Sequence, residues 1–71
     1  MEKSEKPQLN RIREVLEDRG IKITWLAEKL EKSYPTLYGY VSNERQPSLK
    51  DLYRIAEILQ VDAKELLIDK V

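Results

Sequence analysis

The side chains of this sequence are suited to hydrogen bonding and charge pairing, and they lack the usual groups for catalysis. The 71 residues include no His and no Cys, so the commonest general base and the most reactive thiol nucleophile are both missing. The usual ligands of zinc and other soft metals are missing with them, and no glycine-rich phosphate loop occurs. We therefore expect no enzyme activity, no cofactor, no metal site and no small-molecule substrate.

Charge is unevenly distributed along the chain although it sums to zero. Thirteen basic residues balance thirteen acidic ones. Residues 20–50 contain five basic and three acidic side chains, whereas residues 51–71 contain three basic and five acidic ones. This mild excess permits phosphate contact on one face but provides little long-range attraction of a charged partner.

The length and composition indicate one small soluble domain. No apolar run approaches the roughly 18 residues of a membrane span, so we expect no membrane contact. Residues 1–6 lack the apolar stretch of a secretory signal, and the lack of Cys gives no sign of an oxidising compartment. A cytoplasmic location is the resulting prediction.

Apolar residues recur at helical spacing in the first half of the chain, and no strand pattern is present. Gly20 stands where a left-handed cap would end helix 1, which we place at about residues 8–19. A second helix of about eight residues follows Ile21. The inward-facing residues expected of these two helices are Leu9, Ile12, Val15, Leu16, Leu26, Ala27 and Leu30.

Three further helices are predicted from their capping signals. Ser33 is a good N-cap for helix 3, with Pro35 in the first turn. Residues 42–47 form a loop, and capping boxes at residues 48–51 and 62–65 open helices 4 and 5. Short connections between short helices predict a compact orthogonal bundle. Its expected inward residues are Leu37, Tyr40, Val41, Leu52, Ile55, Ala56 and Leu59, with Leu66 and Leu67 on helix 5 and Tyr53 at the edge of the core.

Helices 2 and 3 have the spacing of a bihelical unit. The small side chain of Ala27 lets the next helix cross closely, and Leu37 lies ten residues further on, where it fills the angle between the two. Two short helices at a steep angle leave the outer face of the second one free. That geometry allows a helix to enter the major groove of DNA.

The same residues resemble the Cro/cI-type helix-turn-helix family, also called XRE or lambda repressor-like. The resemblance rests on WLAEKL at residues 25–30, Ser33, Thr36 and QPSL at residues 46–49. It continues through IAEILQVD at residues 55–62 and extends without gaps from about residue 9 to residue 67. The resemblance implies an all-α, compact five-helix DNA-binding domain over residues 8–71, preceded by a flexible segment of residues 1–7.

Members of that family are DNA-binding repressors or other regulators of transcription, commonly dimers on palindromic sites, so the resemblance implies a repressor that binds double-stranded DNA as a homodimer. The resemblance implies that helix 3 lies in the major groove and reads the sequence. The base-contact candidates carried over by position are Tyr34, Pro35, Thr36, Tyr38, Gly39 and Ser42. The phosphate-contact candidates are Lys22, Thr24, Lys32, Ser33, Asn43, Arg45 and Gln46.

The chain also departs from the family pattern. Ile23 replaces a frequent Gln that binds phosphate, and Glu31 replaces the turn glycine, at a cost of about 1 kcal/mol if its backbone is left-handed. The family's frequent Arg–Glu pair corresponds to Leu16 and Val41. Exchanging both partners of a buried ion pair for packed apolar residues keeps stability, so this paired change fits the predicted fold.

A second hypothesis is a protein-interaction module that kept this fold and lost DNA recognition. The zero net charge, Ile23, Pro35 and Gly39 favour it, and Tyr34 with Tyr38 could form a protein contact instead of a DNA contact. Trp25 is expected to pack over the edge of helices 2 and 3. The homodimer expected from the resemblance would use apolar surface near the end of the chain, at Leu67, Ile68 and Val71.

Overall fold

The computed structural model describes residues 8–68, and within them the chain is helical as predicted. The α-helices are α1 (Ile12–Arg19), α2 (Ile23–Leu30), α3 (Tyr34–Ser42) and α4 (Leu49–Leu59), and they are followed by a 3-10 turn at Ala63–Leu66. The predicted flexible segment of residues 1–7 and the position of Val71 lie outside the described residues. None of the described helices is long and apolar enough to cross a membrane.

The helices end and begin largely where local signals predict. Gly20 ends α1 in the left-handed conformation, with φ of 67°. Ser33 and Ser48 accept hydrogen bonds from the backbone amides of Thr36 and Asp51, at 3.3 Å and 3.1 Å. These serines supply acceptors for amides that the first turn of a helix leaves unpaired.

One core joins all four helices. Helix α2 packs on α3 and on α4, α1 packs on α3, and the 3-10 turn packs on α4. Leu16 and Val41, the apolar residues in place of the family's ion pair, are both buried in this core. Ile12, Leu26, Leu30, Leu37, Ile55 and Leu66 are fully buried.

The prediction that helix 1 begins near residue 8 is wrong, because residues 9–11 pair with the end of the chain instead. Asn10 and Leu67 form an antiparallel β-bridge. The Arg11 amide donates to the Leu66 carbonyl at 2.8 Å, and the Ile68 amide donates to the Leu9 carbonyl at 3.1 Å. These bonds hold the backbone of residues 9–11 outside the helix.

Two smaller predictions about the second half of the chain are also corrected. The fifth helix is a single 3-10 turn, and Asp62 makes no side-chain cap to it. Tyr53 does not lie at the core edge, since 63% of it is exposed. It points outward because the buried stripe of α4 is already filled by Leu52, Ile55, Ala56 and Leu59.

Candidate nucleic-acid interface

The connection between α2 and α3 is a tight turn of three residues. Glu31 ends α2 in the left-handed conformation, with φ of 60° and ψ of 41°, as its place at the family's turn glycine suggested. The next amide, that of Lys32, donates back to the Ala27 carbonyl at 3.0 Å. Leu30 and Leu37 are fully buried on either side. The turn therefore fixes α3 against α2 by its inner face and leaves the outer face free.

The outer face of α3 presents two tyrosines. Tyr34 and Tyr38 are each 47% exposed, and their rings are stacked with centroids 6.1 Å apart. Pro35 is exposed beside them. The three side chains form a mostly apolar surface that carries two phenol hydroxyl groups. Such a surface can contact thymine methyl groups and donate hydrogen bonds to bases or phosphates.

The small hydroxyls of α3 are partly used within the helix. The Ser33 hydroxyl donates to Thr36 Oγ1 at 3.0 Å, and the Ser42 hydroxyl donates to the Gly39 carbonyl at 3.3 Å. Thr36 and Ser42 are only partly exposed. Ser33 remains exposed at the start of the helix, where its N-cap function is combined with access from solvent.

Gly39 lies on the outer side of α3, as predicted, but it is not accessible as a base-contact candidate because the side chain of Arg45 covers it. Gly39 is buried. A Cβ added to it would lie 2.9 Å from Arg45 Cγ and 3.2 Å from Cδ. The Arg45 amide also donates to the Gly39 carbonyl at 3.2 Å. Arg45 itself is exposed, so at this position of the outer face Arg45 is the accessible residue and Gly39 is not.

Asn43 was predicted to contact phosphate, but its side chain is buried in a network of amides that ties the end of α3 to the N-terminal segment. Its Oδ1 accepts from the backbone amides of Leu9 and Asn10, at 2.9 Å and 3.1 Å. Its Nδ2 donates to the Asn10 carbonyl at 3.2 Å. Only Nδ2 could donate to a phosphate, and it is turned into this buried network, where it donates to the Asn10 carbonyl.

Gln46 belongs to the same network. Its Oε1 accepts from Asn10 Nδ2 at 2.8 Å, and its Nε2 donates to Asn43 Oδ1 at 3.0 Å. Asn10 Nδ2 also donates to the Tyr40 carbonyl at 3.0 Å. These bonds use one N–H of Gln46 Nε2, and because Gln46 is exposed its second N–H can still donate to a phosphate, so this contact stays a prediction. Asn10 was missed in the sequence, since its importance comes from residues more than thirty positions away.

The predicted phosphate-contact residues around the start of α2 and α3 differ in whether they already have a charged partner. Lys22 and Thr24 are exposed at the start of α2. Lys32 lies in the turn with its Nζ 3.5 Å from Asp51 Oδ2, and its side chain is 40% exposed. Lys22 can therefore meet a phosphate directly, whereas Lys32 must share its charge with a carboxylate.

Asp51 is a buried carboxylate that links the turn and two helices. Its Oδ2 accepts a hydrogen bond of 3.0 Å from the Tyr40 hydroxyl. Burial raises the pKa of Tyr40 above its ordinary value of 10.0, the bond to Asp51 raises it further, and the charge of Arg45 opposes this. The capping box predicted at residues 48–51 thus holds only in part. Asp51 directs its carboxylate to Tyr40 because that hydroxyl is buried and needs an acceptor.

Trp25 stands at the side of this surface. It is 41% exposed, and the Lys29 ammonium lies 5.5 Å from its ring centroid. With Gly20, Ile21 and Lys22 it lines an open, mostly apolar groove.

Within residues 8–68, no group of three or more acidic residues forms a metal site.

The sequence of the chain that forms these elements matches a known family. Residues 12–66 match the family model described as helix-turn-helix. The chain belongs to the XRE-type helix-turn-helix family. The helix-turn-helix unit is formed by α2 and α3, and α3 occupies the place of its second helix.

A solved structure of high similarity agrees with this assignment. A crystal structure from Bacteroides fragilis, whose protein is described as a candidate DNA-binding protein, shares 43% sequence identity with this chain. The match covers 84% of this chain and 97% of that one, with a TM-score of 0.83. No curated protein matches the chain. The predicted all-α, lambda repressor-like fold is therefore confirmed.

Proposed function

We propose that this protein binds double-stranded DNA in a sequence-specific manner as a transcription regulator, acting as a repressor, with α3 in the major groove. The observation that carries the proposal is the outer face of α3, where Tyr34, Pro35 and Tyr38 are exposed on a helix whose inner side is buried in the core. A second helix of this kind is the element that enters the groove in helix-turn-helix proteins. The B. fragilis protein of the same fold is described as a candidate DNA-binding protein.

The expected contacts divide into two classes. Tyr34, Pro35 and Tyr38 would meet base edges, with Thr36 and Ser42 nearby at lower exposure. Lys22, Thr24, Lys32 and Ser33 would meet phosphates, because they surround the start of the two helices. Phosphate contacts position the protein and account for salt dependence, whereas base contacts provide specificity.

Selection of bound sites from a random DNA pool, followed by fluorescence anisotropy, tests the proposal. We expect Tyr38→Ala to weaken binding to the selected site at least about fivefold, the lower end of what one base contact provides. Tyr53→Ala is the matched control, since Tyr53 is exposed on α4 and outside the proposed interface. Equal losses in the two variants, or no enrichment of any sequence, would contradict sequence-specific binding.

The phosphate contacts have their own signature. Lys22→Ala should reduce the slope of log affinity against log salt by about 1 and should weaken binding to all sequences alike. Lys64→Ala, which removes an exposed lysine of the 3-10 turn, should leave the slope unchanged. Affinity that does not depend on salt in the wild type would count against DNA as the partner.

A homodimer is part of the proposal, since two copies would read two half-sites. Leu9 and Leu67 lie on the two bridged segments and are 39% and 41% exposed, which provides apolar surface for a second copy. Sedimentation equilibrium on wild type and on Leu67→Ser tests this. A wild type that stays monomeric at high concentration, both free and on a palindromic site, would remove the dimer from the proposal.

A second candidate, a protein-interaction module, is favoured by one specific observation. Leu49 and Tyr53 are 72% and 63% exposed and lie on successive turns of α4. Exposed apolar residues grouped in this way occur at protein contacts. If this candidate is correct, Lys22→Ala and Lys32→Ala leave partner affinity unchanged and DNA does not compete. Loss of partner binding on adding DNA would reject it.

A further inference from the structure

Arg45 lies after the end of α3, yet its side chain returns to the outer face of that helix. Its backbone amide donates to the Gly39 carbonyl at 3.2 Å, which turns the chain back. Its Cγ, Cδ and Nε lie 2.9, 3.2 and 3.3 Å from the place that a Cβ of residue 39 would occupy. Real Cβ atoms do not tolerate the shortest of these distances. The arginine stem therefore lies in a slot that exists because residue 39 is glycine.

This slot faces the same side of α3 as the exposed residues. At 100° per residue, Pro35 and Ser42 lie at the middle of the outer face, with Tyr38 on one side of them and Gly39 on the other. The Arg45 stem thus extends the outer face of α3 along the edge opposite the tyrosines. Arg45 as a whole is exposed, while its Cγ, Cδ and Nε lie over Gly39 on that face.

The outer face of α3 lacks the side chains that read bases most specifically. Its own residues are tyrosine, proline, threonine, glycine and serine, with no Arg, Lys, Asn or Gln. Arginine is the commonest specific reader of DNA because its two parallel N–H groups match guanine O6 and N7. Arg45 places one such group on a helix that has none.

The arginine is also held in a way that favours recognition. Its stem packs closely over Gly39, and within residues 8–68 its guanidinium forms no ion pair. A side chain whose stem is fixed before binding loses less conformational freedom when it binds, and an arginine fork then needs only small adjustment to reach a planar partner. A solvated loop arginine would have neither the slot nor the backbone bond.

We propose that Arg45 is a specificity-determining residue that binds a guanine in the major groove, and that Gly39 positions it there. This inference rests on the proposed DNA binding and adds a base reader that the first interpretation of Arg45, as a phosphate contact, did not include. Gly39 acts as a positioning residue, since it contacts the arginine and not the DNA.

The first experiment compares affinities for the selected site and for a random duplex. Arg45→Ala and Arg45→Lys should each bind the selected site with roughly 5- to 150-fold lower affinity than the wild type, as expected for the loss of one bidentate base contact. Arg45→Lys should keep its affinity for the random duplex, because the charge remains. Gly39→Ala should show the same loss as Arg45→Lys with all charges intact, since its Cβ displaces the arginine stem. Lys22→Ala is the control, with similar losses on both duplexes.

The second experiment identifies the base. Each guanine of the selected site is replaced in turn by 7-deazaguanine, which lacks the N7 acceptor. One replacement should weaken wild-type binding and have no further effect on Arg45→Ala, because the contact is already gone. Thermal melting of each variant ensures that lost affinity does not reflect unfolding.

The outcomes separate this inference from the function on which it rests. If the wild type binds a preferred site but Arg45→Lys binds it as well as the wild type does, Arg45 contacts phosphate and the inference is overturned while the proposed function stands. The same holds if no 7-deazaguanine position depends on Arg45. A wild type that binds no duplex at all overturns both.

Discussion

Three helices of this domain end on a residue other than glycine in the left-handed conformation, and this suggests a test of how the fold is stabilised. Glu31, Asn43 and Gln60 end α2, α3 and α4 with φ of 60°, 66° and 60°. An L-residue in this conformation is strained by about 1–2 kcal/mol because its Cβ approaches the following carbonyl. Glycine has no Cβ and removes the strain.

Glu31→Gly and Gln60→Gly should therefore stabilise the domain. The strain removed from the folded state is about 1–2 kcal/mol. The greater conformational freedom of glycine in the unfolded chain lowers the free energy of unfolding by about 0.4–1 kcal/mol. A net gain of about 1 kcal/mol remains for each variant, which in a domain of this size raises the melting temperature by about 4–8 °C. Both side chains are exposed, so little else is lost.

Asn43→Gly should do the opposite, although it removes the same kind of strain. The Asn43 side chain accepts from the amides of Leu9 and Asn10 and donates to the Asn10 carbonyl. Its removal leaves buried polar groups without partners, at about 1–3 kcal/mol each. We expect a net loss of about 2 kcal/mol, since these groups outweigh the relief of strain.

Urea denaturation followed by circular dichroism measures all three variants. Glu31→Ala is the control, because it removes the carboxylate and keeps the Cβ, and its stability should stay within about 0.5 kcal/mol of the wild type. The reasoning is refuted if Glu31→Gly is no more stable than Glu31→Ala. It is also refuted if Asn43→Gly gains as much as the other two.

Other predictions follow from single contacts. Ser48→Ala should destabilise by about 1 kcal/mol because it removes the N-cap of α4, whereas Asp62→Ala, which removes no cap bond, should change the midpoint of urea unfolding little. Tyr40→Phe should lower the free energy of unfolding by about 1.5–3 kcal/mol at neutral pH, which is the contribution of a hydrogen bond to a charged group such as Asp51. The pKa of Tyr40 in the folded protein is raised above 10.0, so the stabilisation by its hydroxyl is complete below pH 10 and is lost as the pH rises through the folded pKa. The difference in free energy of unfolding between wild type and Tyr40→Phe should therefore shrink above pH 10. A difference that stays constant in urea unfolding at alkaline pH would disprove this. Gly39→Ala should melt at or above the wild-type temperature, because alanine favours a helix interior by about 0.5–1 kcal/mol, and a lower melting temperature would show that the arginine slot supports the fold itself.

Much of the helical framework could be predicted because its signals act within one turn of the chain. The capping hydroxyls of Ser33 and Ser48 bond to amides three residues on, and Gly20 ends α1 by its own backbone freedom. The inward stripes of α2 and α3 follow from helical spacing. The exposure of Tyr34 and Tyr38 follows in the same way, once Leu37 and Val41 are assigned to the core.

What the sequence could not reveal depends on groups that meet only in the folded molecule. The N-terminal segment leaves helix 1 because residues 66–68 offer it backbone partners, and such pairing has no local signal. Asn43 turns inward because Asn10, 33 residues away, presents a buried amide to it. Arg45 lies on the outer face of α3 because Gly39 leaves room there. Short-range hydrogen bonds and apolar periodicity determine which residues form helices, whereas the final place of each polar side chain is decided by long-range packing, since only there do buried donors and acceptors find their partners.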